Sequence, residues 1–379
     1  MSIIQGKHAM KEDIRSPVEA GEAILRERQK PVEPAPDRVM VSVDGVPVEI
    51  SPDSTVLDAI KSVGKSVPSL CYSDRMKPYG ACRTCLVEVV GRKPVASCHT
   101  PVMDGAAYKT SSPLISRLRR NITELIVSDH PLECLDCTAN GRCELQTLAQ
   151  QVGLRTPRYE NPRKHNPPDD DRHPFIKVEM DKCIGCARCV RACDEVQGSF
   201  ILQMQGRGYD TKVIAGNDTG FEEADCVSCG QCVFECPVAA LEEPGTRDFG
   251  LPDTTTTTTC SYCGVGCSLD VNTKDGQVVN ITPSRTGSAN NGHTCVKGRF
   301  AHQFAHAPDR LRTPLIKEGG AFREASWDEA LDLVAARLGG IAREHGPESV
   351  SVISSSRCTN EENFLMQKLT RVALQTNSK

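Results

Sequence analysis

Cys183-Ile-Gly-Cys186-Ala-Arg-Cys189-Val-Arg-Ala-Cys193 and, further on, Cys226-Val-Ser-Cys229-Gly-Gln-Cys232-Val-Phe-Glu-Cys236-Pro237 decide how this chain folds. Each run places three cysteines in seven residues and adds a fourth after three more residues. Iron–sulfur clusters need thiolates on short loops, because four ligands must converge on one compact inorganic core. Zinc takes the same number of ligands but usually as two separated pairs. Three thiolates crowded into one loop therefore point to iron and sulfide. The two runs lie within residues 175–245 and form an internal duplication at the scale of a small module.

Both runs resemble those of the bacterial two-cluster ferredoxins, in which the fourth cysteine crosses to the other cluster. The resemblance implies one [4Fe–4S] cluster on Cys183, Cys186, Cys189 and Cys236, and a second on Cys226, Cys229, Cys232 and Cys193. The first run has Asp194 where the usual proline stands, whereas the second keeps Pro237.

Three more groups flank this module. Cys71, Cys82, Cys85 and Cys98 are separated by 10, 2 and 12 residues. That is not the plant ferredoxin spacing; the segment resembles the [2Fe–2S] loop of NADH-linked redox complexes and iron hydrogenases, with zinc as the alternative. Gly80 and Ala81 suit a loop whose backbone N–H groups approach sulfur. His130, Cys134, Cys137 and Cys143, spaced by three, two and five residues, resemble a [4Fe–4S] site with one imidazole ligand. His99, next to Cys98, reads as an ordinary surface histidine. Cys260, Cys263 and Cys267, with Cys295-Val-Lys-Gly-Arg299 after 27 residues, resemble the N-terminal [4Fe–4S] domain of the molybdopterin oxidoreductases. In that family the equivalent of Lys297 lies between cluster and pterin; the alternative is a solvated surface lysine. Cys358, at a strand-to-helix turn, is left over and reads as a buried structural thiol.

Composition agrees with metal as the organising element. Hydrophobic residues make up 39% of the 379 and aromatic residues only 4%, while there are 20 cysteines. With no secretory signal visible at the N-terminus, a cytoplasmic chain with this many thiols is expected to bind metal rather than to be cross-linked. No apolar stretch is long enough to span a membrane. A net charge of -4 with mixed signs gives no reason to expect nucleic acid.

The expected fold is α+β and multi-domain. Residues 1–36 form a polar extension with a helix-compatible piece at 18–28. A β-grasp [2Fe–2S] domain covers 37–112: alternating apolar residues around Asp44-Gly45 signal a hairpin, and Ser54 is expected to cap a short helix closed by Gly64. A helical His/Cys [4Fe–4S] domain occupies 113–160, a Pro- and Asp-rich linker 161–174, and the two-cluster ferredoxin domain 175–245. The threonine run 254–259 reads as punctuation before the [4Fe–4S] molybdopterin oxidoreductase domain at 254–312, which carries a second Asp-Gly hairpin signal at Asp275-Gly276. Residues 313–379 read as the start of a molybdopterin-binding α/β domain. There Ser326 and Glu329 should form a capping box, 349–353 a strand, and a helix should begin near Asn360.

Taken together, residues 38–377 resemble the large (alpha) subunit of the cytosolic NAD-dependent Mo/W formate dehydrogenases, the segment Arg357-Cys-Thr-Asn-Glu-Glu-Asn-Phe-Leu-Met-Gln-Lys368 closely so. The resemblance implies one [2Fe–2S] and four [4Fe–4S] clusters passing electrons from formate oxidation. It also implies Mo or W held by two molybdopterin guanine dinucleotides in the complete subunit, and an FMN/NAD-binding diaphorase-type partner with a further small [2Fe–2S] subunit. The family's metal-binding cysteine or selenocysteine and its catalytic His and Arg have no counterpart in this sequence, so no catalytic residue is expected in it. A stand-alone electron-transfer module and an accessory subunit of a hydrogenase- or complex I-like assembly are the alternatives.

Overall fold

Asp44 and Gly45 both take positive φ, 50° and 86°, as a tight primed turn requires. They fold β1 (Val39–Val43) back antiparallel on β2 (Val46–Ile50), with Val43 opposite Val46. The computed structural model describes residues 38–159 and 169–378. The expected extension over 1–36, with its helix, and residues 161–168 of the expected linker lie outside the described residues.

Helix α1 (Val56–Ser62) is capped one residue later than expected, by Thr55 rather than Ser54. Thr55 Oγ1 accepts the Asp58 N–H at 3.2 Å and the Asp58 carboxylate accepts the Thr55 N–H at 2.8 Å. Ser54 belongs instead to the preceding turn, its N–H donating to Ser51 O. Strands β3 (Leu86–Val89), β4 (Val95–Ala96) and β5 (Ala107–Lys109) complete a five-stranded sheet in the order β2-β1-β5-β3-β4. The β1–β5 pair is parallel and the others antiparallel. Alternate strand residues Val41, Val43, Val87, Val89 and Tyr108 meet Val56, Leu57 and Ile60 of α1 in one core that also takes in Cys85 and Cys98. The period-2 strand pattern and the helix stripe thus bury their apolar faces against each other.

Helix α2 (Pro113–Val127), capped by Ser112, leads to α3 (Glu144–Gln151). The N-cap of α3 is Cys143, whose Sγ accepts the Gln146 N–H at 3.4 Å. Next, β6 (Lys177–Val178) pairs with β9 (Leu241–Glu242) and so ties the start of the first cysteine run to the end of the second. Between them run α4 (Arg188–Arg191), continued by a π turn over Ala192–Gln197, the hairpin β7 (Leu202–Gln205) and β8 (Lys212–Ala215), and α5 (Gln231–Glu235). The duplication extends to the backbone: Gly185 and Ala187 in the first run, and Ser228 and Gly230 in the second, all have φ between 53° and 69°. Left-handed residues at matching places bend each loop so that its cysteines face inward, a conformation costly for Ala187 and Ser228.

Helix α6 (Pro244–Phe249) precedes β10 (Thr254–Thr259), where a punctuating loop was expected. The threonines are β-branched, and they pair along their whole length with β11 (Ser268–Lys274), which turns at Asp275-Gly276 into β12 (Gln277–Pro283). After α7 (Val296–Phe300) come the hairpin β13 (Leu315–Glu318) and β14 (Ala321–Glu324), then α8 (Trp327–His345) and α9 (Asn360–Lys368). Ser326 caps α8 by accepting the Glu329 N–H, but the reciprocal half of the box is missing because the Glu329 carboxylate pairs with Arg323. The strand expected at 349–353 does not form; a 3₁₀ turn at Pro347–Ser349 leads into extended chain. Among the described residues no strand pairs with it; Val350 N–H closes the turn on Pro347 O, and Val352 N–H donates to Ser378 O. No helix among the described residues is long and apolar enough to cross a membrane.

Candidate iron–sulfur centres

All 20 cysteines fall in described residues and none is in a disulfide. Nineteen of them, with His130, gather into the five expected groups.

Cys71, Cys85 and Cys98 are fully buried on the edge of the β-grasp core, and Cys82 is half-buried. Cys85 and Cys98 Sγ lie 3.3 Å apart. Cys71 Sγ is drawn down in pKa, mainly through its contacts with Cys82 and Cys98, and the N–H groups of Cys82 and Ala81 also point at it. This is the backbone-to-sulfur approach that Gly80-Ala81 allows. Thr84, wholly buried, lies with Oγ1 3.1 Å from Cys82 Sγ. His99 is exposed, as an ordinary surface histidine should be.

Around the second group a cavity of about 60 Å³ is lined by His130, Cys134, Cys137 and Cys143. Burial pushes the His130 pKa down, while the Lys182 backbone hydrogen-bonds the ring in a way that favours its protonated form. Ring nitrogen Nδ1 is buried with no partner. A bare imidazole nitrogen on a residue that shares a cavity with three thiols suits a metal-ligating histidine. The donor set fits a cluster.

In the duplicated module the crossed sets come together. A small cavity is walled by Cys183, Cys186, Cys189 and Cys236, with Met180, Ile184, Val213, Val238, Ala240 and Leu241 excluding water around them. Burial pushes the Cys183 thiol up to about 11, and raises those of Cys186, Cys189 and Cys236 as well. Around Cys232 stand Cys229, Cys226 and Cys193, together with Arg299, and burial again drives its thiol well upward. Four dry, unpaired thiols are unfavourable as charged groups alone; bound iron would let them deprotonate. Cys189 also faces Cys232, so the two groups adjoin.

The fifth group is more open. Cys260 and Cys267 are half-buried, Cys263 and Cys295 exposed. Cys260 N–H donates to Cys267 O at 2.8 Å, and burial together with the nearness of Cys260, Cys263 and Cys295 raises the Cys267 thiol. A Cβ at Gly298 would stand 3.5 Å from Cys260 Sγ, so α7 lies against the group. Lys297, on the same helix, is exposed. Cys358 is exposed as well, contrary to the buried structural thiol expected. The turn around it is held by Asn363 Nδ2, which donates to Ser355 O and Cys358 O, and Ser356 O approaches Gly264 of the fifth group.

Charged residues that the motifs do not reveal surround these groups. Glu235, just before Cys236 and fully buried, pairs with Arg75 and with Arg188 at 3.1 Å each, and with Arg285 at 3.6 Å. Arg75, Arg285 and Arg299 all stand over the ring of Phe234, at 5.5, 4.5 and 5.8 Å from its centroid. The only sequence signal is a charge inside a cysteine loop, and the partner of Glu235 in Arg75 is 160 residues away.

Comparison with known proteins follows the same order of groups. Five family models match in succession: the 2Fe-2S iron-sulfur cluster binding domain at residues 36–113, the NADH-ubiquinone oxidoreductase-G iron-sulfur binding region at 119–158, the 4Fe-4S dicluster domain at 177–240, the molybdopterin oxidoreductase Fe4S4 domain at 253–307, and molybdopterin oxidoreductase at 310–379. Domain by domain, the chain is thus similar to the iron–sulfur region and the start of the pterin domain of molybdopterin oxidoreductases. Among its relatives, a provisionally named formate dehydrogenase of Staphylococcus aureus strain USA300 is 34% identical over 383 residues, covering 90% of this chain and 39% of that protein. The oxidoreductase YjgC of Bacillus subtilis strain 168, also provisionally named, is 34% identical over 380 residues, covering 89% and 38%. The chain therefore spans about two fifths of the length of these relatives. A crystal structure of an NAD+-reducing [NiFe]-hydrogenase in the H2-reduced state is 30% identical with a TM-score of 0.50, over 54% of this chain and 87% of that one.

Proposed function

We propose that this chain is the electron-relay portion of an NAD-dependent formate dehydrogenase. On this reading Cys71, Cys82, Cys85 and Cys98 hold a [2Fe–2S] cluster. The four other sets hold [4Fe–4S] clusters: His130 with Cys134, Cys137 and Cys143; Cys183, Cys186 and Cys189 with Cys236; Cys226, Cys229 and Cys232 with Cys193; and Cys260, Cys263 and Cys267 with Cys295. The observation that carries it is the cavity shared by Cys183, Cys186, Cys189 and Cys236, since only a crossed pair of ferredoxin-type sites brings the last cysteine to the first three.

Bound clusters supply one-electron carriers, which the oxidation of formate (HCOO⁻ → CO2 + H⁺ + 2e⁻) at a Mo or W bis-pterin site needs for its two electrons. The chain's residues then have distinct tasks. The thiols and His130 fix the carriers, and Met180, Ile184, Val213 and Leu241 keep water from one of them. Lys297, exposed beside the fifth group, is placed to meet a pterin brought by the rest of a complete subunit. The NADH-ubiquinone oxidoreductase-G match and the likeness to an NAD+-reducing hydrogenase support an FMN- and NAD-binding partner near the first two groups. A cytoplasmic location fits such a partner.

The test uses the full native protein with its partners. Formate should reduce its clusters, seen by EPR, and should reduce NAD+, with Mo or W present by metal analysis. The hydrogenase likeness favours a second reading, an accessory subunit of a hydrogen-linked assembly; reduction of the clusters by hydrogen and not by formate would establish that one and exclude the first.

A further inference from the structure

Arg299 is the largest fully buried side chain among the described residues, 1% exposed. Packing gives no reason to bury a guanidinium, and an unpaired charge in a dry site is costly. Its Nε donates to Glu243 Oε1 at 2.7 Å, and Nη2 donates to the same oxygen. The third nitrogen, Nη1, is buried with no acceptor. The cation faces two rings, Phe234 and Phe300, at 5.8 and 5.6 Å from their centroids. It is also clamped by the Cys229–Cys232 loop: a Cβ at Gly230 would stand 2.4 Å from Arg299 Nε, so glycine leaves the room it needs. Thr294 Oγ1, donating to Cys229 O at 3.5 Å, straps the same loop to the start of α7.

Arg299 thus belongs by sequence to the fifth group, four residues after Cys295, but by position to the neighbouring one. The backbone it lies against is that of Gly230, flanked by Cys229 and, two residues on, Cys232. We infer that Arg299 sets the reduction potential of the centre held by Cys226, Cys229, Cys232 and Cys193, with Glu243 moderating it; this rests on the relay reading above. Reduction adds one negative charge to a buried centre, and a fixed cation in a low-dielectric site stabilises the reduced state. Because α7 carries both Cys295 and this cation, the helix that completes one centre makes the next one the better electron acceptor.

The full chain is loaded with iron and sulfide anaerobically and titrated potentiometrically with EPR detection. The signal of this centre is assigned by its loss in Cys229→Ala. Arg299→Gln is expected to lower that midpoint by at least a tenfold shift in the oxidised-to-reduced ratio, about 59 mV for one electron. Glu243→Gln is expected to raise it, with iron content and the other midpoints unchanged. Midpoints that coincide in wild type and both variants overturn the inference. So does loss of the centre in Arg299→Gln with no movement in Glu243→Gln, because Arg299 would then only hold the fold. A wild-type chain that takes up no iron overturns the relay reading, and this inference with it.

Discussion

Replacing Glu235 by alanine removes a carboxylate that three arginines share. Glu235 has no exposure, and the side chains of Arg75 and Arg188 are 12% and 6% exposed. Breaking a buried pair by deleting one partner typically costs 3–5 kcal/mol, because the remaining charge stays buried and uncompensated. Two contacts soften the loss here. Arg188 keeps Glu144 at 2.7 Å and Arg75 keeps Gln231 Oε1 at 2.9 Å, while Arg285, nearly half exposed, is screened by water. The lower end, about 3 kcal/mol, is therefore expected, or roughly a 150-fold rise in the local opening constant at 1.4 kcal/mol per tenfold. Native-state hydrogen exchange over Arg188–Arg191 and Gln231–Glu235, the two helices that carry the pair, reads this directly. Glu235→Gln, which keeps an acceptor, should lose less. A loss below about 1 kcal/mol in Glu235→Ala, the range of solvated surface pairs, would refute the account of Glu235 as a buried hub.

Two further outcomes follow from single side chains. His130→Ala should leave the chain short of one [4Fe–4S] complement in iron analysis and abolish one EPR signal, while His99→Ala changes neither; equal iron in both variants would count against His130 as a ligand. His173 is 5% exposed, and burial lowers its pKa below the usual 6.5. The charged form is disfavoured in the fold, so the unfolded chain binds the proton first and stability falls as pH drops below about 6.5. Exchange protection around Phe221 and Ser228, which contact His173, should fall from pH 7.5 to 5.5 in wild type and fall less in His173→Asn; identical pH profiles would sink this assignment.

How far the sequence carried depended on whether each signal was local. Cysteine spacing is local, and it located five groups that the fold brings together; the matching left-handed residues of the two ferredoxin-like loops became visible only in the backbone. Asp44-Gly45 and Asp275-Gly276 specified their hairpins because turn chemistry is complete within four residues. The misses each involve a competing partner. Ser54 lost the cap because its backbone was already committed to a turn with Ser51. Glu329 left its capping box for Arg323. The threonine run became a strand because β11 offered a full-length partner, and 349–353 did not because no described strand lies alongside it. The arginine–carboxylate hub was out of reach, since Arg75 and Glu235 meet only through the tertiary fold.

The crossing of Cys193 and Cys236 has a consequence for how such a module can be built or divided. Each half of the duplicated segment would provide three ligands to its own centre and lend one to its twin. Neither half can then mature by itself: filling one centre recruits the opposite run, and with it most of what the second centre needs. Loading of the two centres should be coupled in wild type, the first to fill ordering most of the chain that the second needs, because metal binding and chain ordering share one free energy. A hairpin can be trimmed from a sheet, but one repeat cannot be trimmed from this pair without disabling the other.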